Sequence, residues 1–128
     1  MDYELSKRIL IVDDDIDFLM LLERRLVKAG YMIEAAASLP EAEDIIPQFE
    51  PHLVLLDINL KGEDGRKLCF QLKNEDPSTK VIILSGYDYN LARAVLFGAD
   101  DLIPKPINFD YLLVQIEKYL GESEPSSK

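Results

Sequence analysis

The chain has 128 residues, enough for one domain with a hydrophobic core that needs no disulfide bond or structural metal. Its formal net charge of −10 would repel a nucleic-acid backbone and argues against direct nucleic-acid binding. Cys69 is the only cysteine, the first residues lack the apolar stretch of a signal peptide, and no apolar run approaches the roughly 20 residues of a transmembrane helix. We therefore expect a cytoplasmic protein that does not enter a membrane.

The first half of the chain alternates short apolar runs with helical patterns. Residues 9–12 are continuously apolar and predict a strand, after which apolar residues recur at helical spacing. Residues 31–35 predict a second, weaker strand. Ser38 and Glu41 then have the spacing of a capping box at the start of a second helix, which we expect Pro47 to end early.

The second half continues this alternation. Residues 53–56 are apolar throughout, as in a strand buried on both faces, and lead directly into Asp57. A glycine-containing loop over 59–65 and a third helix over 66–74 follow. The remaining predicted elements are a strand over 81–84, a helix that Asp88 can cap, a short strand over 101–104 and a helix that Asn108 caps.

Five predicted strands alternating with five predicted helices indicate an α/β domain. Right-handed crossovers then give a parallel sheet with helices on both faces. For such a doubly wound sheet we predict the flavodoxin-like order 2-1-3-4-5, with a binding crevice at the carboxyl ends of strands 1 and 3. We expect the domain to span residues 1–121, because residues 122–128, ESEPSSK, have the composition of a disordered tail or linker.

Polar residues follow the predicted strands at the edge where this crevice would lie: Asp13 and Asp14, Asp57, Ser85 and Lys105. Three neighbouring carboxylates need a cation or a raised pKa. Oxygen ligands indicate Mg²⁺ or Ca²⁺, and Mg²⁺ fits a phosphoryl-transfer site better. A carboxylate held there can attack a phosphoryl donor to form an aspartyl phosphate, while lysine and serine donors stabilise the phosphoryl oxygens.

The segments ILIVDDD, LVLLDINLKGEDG, VIILSG and GADDLIPKP resemble the signature blocks of the response-regulator receiver family. The resemblance implies that Asp57 is the phosphoacceptor and that Asp13 and Asp14 are the acidic pair that binds Mg²⁺ together with Asp57. Asn59 would supply a backbone carbonyl to the ion. The positions two residues after the phosphoacceptor and two after the hydroxyl residue, here Asn59 and Tyr87, would tune the lifetime of the phosphoryl group.

The resemblance also implies roles at the last two strand ends. Ser85 would move its hydroxyl toward the phosphoryl group, and Lys105 would contact that group, followed by a cis peptide bond to Pro106. Three residues before the lysine the family often has tyrosine or phenylalanine, whose rotamer reports the movement of the hydroxyl. This chain has Leu102 at that switch position.

Membership of this family implies a two-component signalling switch with self-phosphorylation and self-dephosphorylation activity, and not a conventional enzyme. Its phosphoryl group would come from a histidine kinase, a phosphotransfer protein or a small phosphodonor. The face formed by helix 4, strand 5 and helix 5 is the usual readout surface, where an output partner or a phosphorylation-dependent homodimer would form. The sequence leaves open the kinase, the pathway, and whether the domain is independent, cut from a longer regulator or part of a hybrid kinase.

Four other interpretations compete with this one. The acidic residues after strand 1 could form a solvated turn that caps the first helix, which suits Asp15 and Asp17. A phosphohydrolase with an aspartyl nucleophile typically has a second acid where this chain has Asn59. A flavin carrier would need a hydroxyl-rich or glycine-rich phosphate loop after strand 1. A degenerate receiver that works without phosphorylation is the alternative function, although all five chemistry positions are intact.

Overall fold

The computed structural model describes residues 6–86 and 91–121, apart from the side chains of residues 91, 92 and 96. Five strands form the main sheet: β1 (Arg8–Val12), β2 (Met32–Ala36), β3 (Leu53–Asp57), β4 (Lys80–Ser85) and β5 (Asp101–Pro104). Five helices accompany them: α1 (Ile16–Lys28), α2 (Leu39–Phe49), α3 (Arg66–Glu75), α4 (Leu91–Leu96) and α5 (Phe109–Leu120). Three predicted features, Tyr87, the cap Asp88 and the tail over 122–128, lie outside the described residues.

The main sheet is parallel, and its strand order is β2-β1-β3-β4-β5. This confirms the predicted flavodoxin-like topology. In the register of the central strands Val12 lies beside Leu56, and Asp57 lies beside Leu84. The carboxyl ends of β1, β3 and β4 therefore meet at one edge, where the polar residues that follow these strands come together.

The core has two halves, one on each face of the sheet. In β1, Leu10 and Val12 pack in a cluster with buried residues of α2, α3 and α4, whereas Ile9 and Ile11 pack with buried residues of α1 and α5. All four side chains are fully buried. The continuous apolar runs of the sequence thus reflect strands covered on both faces, because successive side chains of a strand point to opposite sides.

Side-chain caps set the start of three helices as the sequence predicts. The carboxylate of Asp15 accepts from the amide of Phe18 at 3.2 Å and begins α1 directly after the acidic pair. Ser38 accepts from the amide of Glu41, and Asn108 caps α5 in the same way. The longest described helix, α1, has 13 residues, and no helix in the described ranges is long and apolar enough to span a membrane.

The prediction that Pro47 ends α2 early is wrong, because the helix continues to Phe49. The last helical turn still closes, with the amide of Glu50 donating to the carbonyl of Ile46 at 2.9 Å. Proline removes one bond to the carbonyl of Glu43, four residues earlier. Both Glu43 and Pro47 are exposed, so water can hydrate that carbonyl, while the apolar side chains of this turn pack against the core.

The segment predicted as a plain loop after β3 contains a small antiparallel hairpin. Asn59–Leu60 pairs with Glu63–Asp64, and the turn between them includes Gly62 at φ 76°. Leu60 is buried at 2 % exposure within the core cluster under α2, α3 and α4. The hairpin therefore has a buried anchor that a loop prediction does not capture, and it stands directly beside the site.

Candidate functional site

Three carboxylates meet at the carboxyl edge of the sheet. Asp13 follows β1 and is fully buried, Asp14 is half-buried, and Asp57 ends β3 with 7 % exposure. One carboxylate oxygen of each residue lies within 4.8 Å of the others. The site thus holds an oxygen-only donor set of the kind that hard divalent cations prefer.

Backbone amides fix one oxygen of each carboxylate. Oδ1 of Asp13 and Oδ1 of Asp57 each accept from the amide two residues further along the chain, at 2.9 and 3.0 Å. Oδ2 of Asp14 accepts from the amide of Lys61 in the hairpin at 2.8 Å. The orientation of the three carboxylates is therefore set by backbone amides.

Lys105 supplies the positive charge at this cluster. Its Nζ donates to Oδ2 of Asp13 at 2.8 Å and to Oδ2 of Asp57 at 3.4 Å. The backbone amide of Lys105 donates to the carbonyl of Ser85 at 2.6 Å, which ties the loop after β5 to the end of β4. The peptide bond to Pro106 is cis, as expected from the family resemblance.

Burial and charge shift the pKa values of two groups in the site. Burial, followed by repulsion from Asp13, raises the pKa of Asp57, although Lys105 and the amide of Asn59 partly oppose this shift. Burial alone would lower the pKa of Lys105, but its bonds to Asp13 and its attraction to both carboxylates outweigh burial and raise that pKa. Lys105 therefore stays protonated near neutral pH. Ionisation of Asp57 lowers the stability of the folded protein.

We expect Asp57→Asn to stabilise the metal-free protein. Since the pKa of Asp57 is raised on folding, the folded chain binds the proton more tightly than the unfolded chain, and ionisation at neutral pH lowers stability. The amide oxygen of asparagine can still accept from the amide of Asn59. In EDTA at pH 7.5, urea denaturation should show a higher unfolding free energy than that of the parent.

This gain should shrink as the pH falls toward about 4, because protonation then neutralises Asp57 in the parent as well. Saturating Mg²⁺ should also reduce the gain, since the ion would stabilise the parent more than the variant. A variant less stable than the parent in EDTA at pH 7.5 would show that repulsion and burial do not dominate at this position.

The structure does not bring every predicted residue into direct contact. Ser85 is buried next to the site, but its Oγ donates to the carbonyl of Gly86 at 2.9 Å. Asn59 is exposed and reaches Asp57 through its backbone amide. Leu102 pairs with Ile83 inside the sheet and packs against the core cluster under α2, α3 and α4. Tyr87 lies outside the described residues.

Gly65 is a site residue that the sequence analysis missed. A Cβ atom at this position would lie 2.7 Å from the backbone oxygen of Asp57 and 3.0 Å from Cα of Ile58. The amide of Gly65 also donates to the carbonyl of Ile58 at 2.9 Å. Glycine is needed here for close approach and not for a positive φ, since φ is −62°. The signal in the sequence is the Asp-Gly pair directly before α3.

This architecture and this cluster agree with a known family. The family model described as "Response regulator receiver domain" matches residues 9–117, which is most of the chain. The chain belongs to this receiver family. Receiver domains are the signalling domains of two-component systems, and they bind Mg²⁺ through an acidic aspartate cluster. The carboxylate oxygens of Asp13, Asp14 and Asp57 fit such an ion, because they lie close together. Among the described residues, Lys105 is the one lysine that forms ion pairs with this cluster.

Individual relatives support the assignment. The chain is 33 % identical over 123 residues to the response regulator MprA of Mycobacterium bovis (strain BCG / Pasteur 1173P2), covering 94 % of this chain and 54 % of MprA. It thus spans about half the length of this relative. The CheY-like receiver domain protein of Methanospirillum hungatei JF-1 is 36 % identical, with a TM-score of 0.82 and coverage of 90 % and 94 % of the two chains.

A response regulator from Burkholderia pseudomallei provides a further structural comparison. That crystal structure contains a phosphorylated aspartic acid, a calcium ion and citrate. It is 28 % identical to this chain, with a TM-score of 0.77 and coverage of 90 % of this chain and 74 % of the other. The receiver fold of this chain is therefore shared with a protein in which an aspartate carries a phosphoryl group.

Proposed function

We propose that this receiver domain accepts a phosphoryl group on Asp57 in a Mg²⁺-dependent reaction and changes conformation to signal. The donor would be a histidine kinase, a phosphotransfer protein or a small phosphodonor. The position of Lys105, whose ammonium bridges Asp13 and Asp57 at the crevice of the sheet, supports this proposal most directly. An acidic turn that only caps a helix would not require Asp13 to be fully buried beside an ammonium group, because burial of charged groups costs desolvation free energy.

Asp57 is proposed as the nucleophile through Oδ2. Its Oδ1 is held by the amide of Asn59, whereas Oδ2 faces the ammonium of Lys105. A new bond would form between Oδ2 and phosphorus, and the bond from phosphorus to the donor atom would break, with the electron pair leaving on the donor. The ammonium would then balance the charge of the phosphoryl oxygens.

Mg²⁺ would be held by carboxylate oxygens of Asp13, Asp14 and Asp57 and by the backbone carbonyl of Asn59. When bound, the ion would supply positive charge that stabilises the phosphoryl oxygens during transfer. The protein contributes carboxylates already oriented by backbone amides, so little reorganisation is needed on binding.

The conformational response is proposed to begin at Ser85. Its hydroxyl would leave the carbonyl of Gly86 and donate to a phosphoryl oxygen, since it lies on the strand beside β3 and next to the site. Leu102, at the switch position in β5, would follow by repacking against the core on the α4 side. The face of α4, β5 and α5 would then bind an output partner or a second copy, while Asn59 and Tyr87 would tune the phosphoryl lifetime.

The wider setting is also proposed. The receiver domain would comprise residues 1–121 with residues 122–128 as a tail or linker, act in the cytoplasm, and catalyse only its own phosphorylation and dephosphorylation. The partners follow from the site chemistry, which needs a donor of phosphoryl groups.

The proposal is tested by phosphorylation with acetyl phosphate and Mg²⁺, followed by intact-mass measurement. The parent protein should gain the mass of one phosphoryl group, and Asp57→Asn should gain none, because an amide is a far poorer nucleophile than a carboxylate. Asp110→Asn is a matched control: this exposed aspartate lies in the first turn of α5, and its replacement should leave labelling unchanged.

Two further measurements make the test decisive. Addition of EDTA should abolish labelling of the parent, and a beryllofluoride mimic should shift NMR signals of Ser85 and β5 in the parent but not in Asp57→Asn. If the parent gains no mass and the mimic causes no shifts, the phosphorylation proposal falls. A receiver that binds partners without phosphorylation would then be the better account.

A further inference from the structure

An aromatic ring covers the ammonium group at the centre of the site. Phe18 lies in the first turns of α1, and the centre of its ring is 4.9 Å from Nζ of Lys105. A cation at this distance from the face of a phenyl ring is attracted by the ring's quadrupole. Among the described residues, the ammonium therefore contacts the carboxylates of Asp13 and Asp57 and the ring of Phe18.

Phe18 is itself held in place by its surroundings. Its amide donates to the Asp15 cap, and its side chain packs against the core cluster between the sheet, α1 and α5. Beside it is a small cavity of about 180 Å³, lined also by Leu22, Ile107 and Phe109. The ring thus has a defined position, with free space next to it.

The geometry points to Phe18 as a positioning residue for Lys105 in phosphoryl transfer. This inference rests on the proposed function of Asp57. In the present structure Asp13 makes the shorter bond to the ammonium. Once Asp13 and Asp57 interact with Mg²⁺ and the phosphoryl group, the two carboxylates attract the ammonium less strongly. The attraction between the ammonium and the ring of Phe18 is unaffected. Phe18 would then keep the lysine over the acceptor and shield it from water.

The test compares Phe18→Leu with Phe18→Tyr. Leucine keeps an apolar side chain without a ring, whereas tyrosine keeps the ring, and its hydroxyl can use the adjacent cavity. With acetyl phosphate at saturating Mg²⁺, Phe18→Leu should be phosphorylated about threefold to tenfold more slowly than the parent. Phe18→Tyr should stay within about twofold of the parent rate.

A double-mutant cycle separates positioning from a general structural effect. In a Lys105→Met background, Phe18→Leu should cause no further loss of rate, because no ammonium remains to be positioned. Equal slowing by Phe18→Leu in both backgrounds, a parent-like rate for Phe18→Leu, or equal slowing by leucine and tyrosine would each overturn the inference. Absence of labelling in the parent would instead contradict the proposed function, so the two failures are distinguishable.

Discussion

Lys105→Met is expected to slow phosphorylation of Asp57 by at least about a hundredfold, the size typical for loss of one preorganised charge at a reacting oxygen. The variant removes the ammonium that faces Oδ2 of Asp57 in the structure. The same change should strengthen Mg²⁺ binding, since the ammonium of Lys105 would no longer compete with the ion for the carboxylates of Asp13 and Asp57. Slower chemistry combined with tighter metal binding is a result that general damage to the fold would not produce.

The measurements are the rate of mass gain with acetyl phosphate and a Mg²⁺ titration followed by NMR. Lys61→Met is a matched control, because it makes the same change in net charge on the exposed hairpin beside the site. Since Lys61 contacts Asp14 through its backbone amide, which methionine keeps, this control should keep a rate within a few-fold of the parent. If Lys105→Met were phosphorylated at the parent rate, Lys105 would have no role in the proposed chemistry.

Gly65→Ala should lower both stability and phosphorylation. The added Cβ would meet backbone atoms of Asp57 and Ile58 at 2.7 and 3.0 Å, so the chain at the end of β3 must move. Overpacking of this kind costs about 1–3 kcal/mol of unfolding free energy. Because displacement of the nucleophile by about 1 Å can reduce a rate by up to about a hundredfold, we expect phosphorylation to slow at least about tenfold.

Urea denaturation and the acetyl phosphate assay check this prediction. For stability, Gly86→Ala is the comparison, since a Cβ at Gly86 would meet no atom of the described residues within 4 Å. Gly86→Ala should therefore change the unfolding free energy by less than about 0.5 kcal/mol. If Gly65→Ala were as stable and as readily phosphorylated as the parent, the close approach to Asp57 would have no role in holding the site.

The fold was predictable because the sequence patterns of its strands and helix caps each lie within a short segment of the chain. The runs over 9–12 and 53–56 are apolar throughout, as expected for strands covered on both faces. The caps Ser38 and Asn108 act within three residues, so their effect is visible in the sequence alone. Pro47 misled the prediction because its local cost is offset by packing of the same helical turn against a distant part of the core.

The sequence by itself determined which polar residues follow which strands, because the alternation of apolar runs and helical patterns places Asp13, Asp57 and Lys105 at one edge of a parallel sheet. Only the tertiary structure decided how they meet. Lys105 and Asp13 are 92 residues apart, and their bond depends on the packing of five strands. The contacts of Gly65 and Phe18 likewise arise between separate elements. Such distances follow from side-chain packing across the core, which no local pattern in the chain encodes.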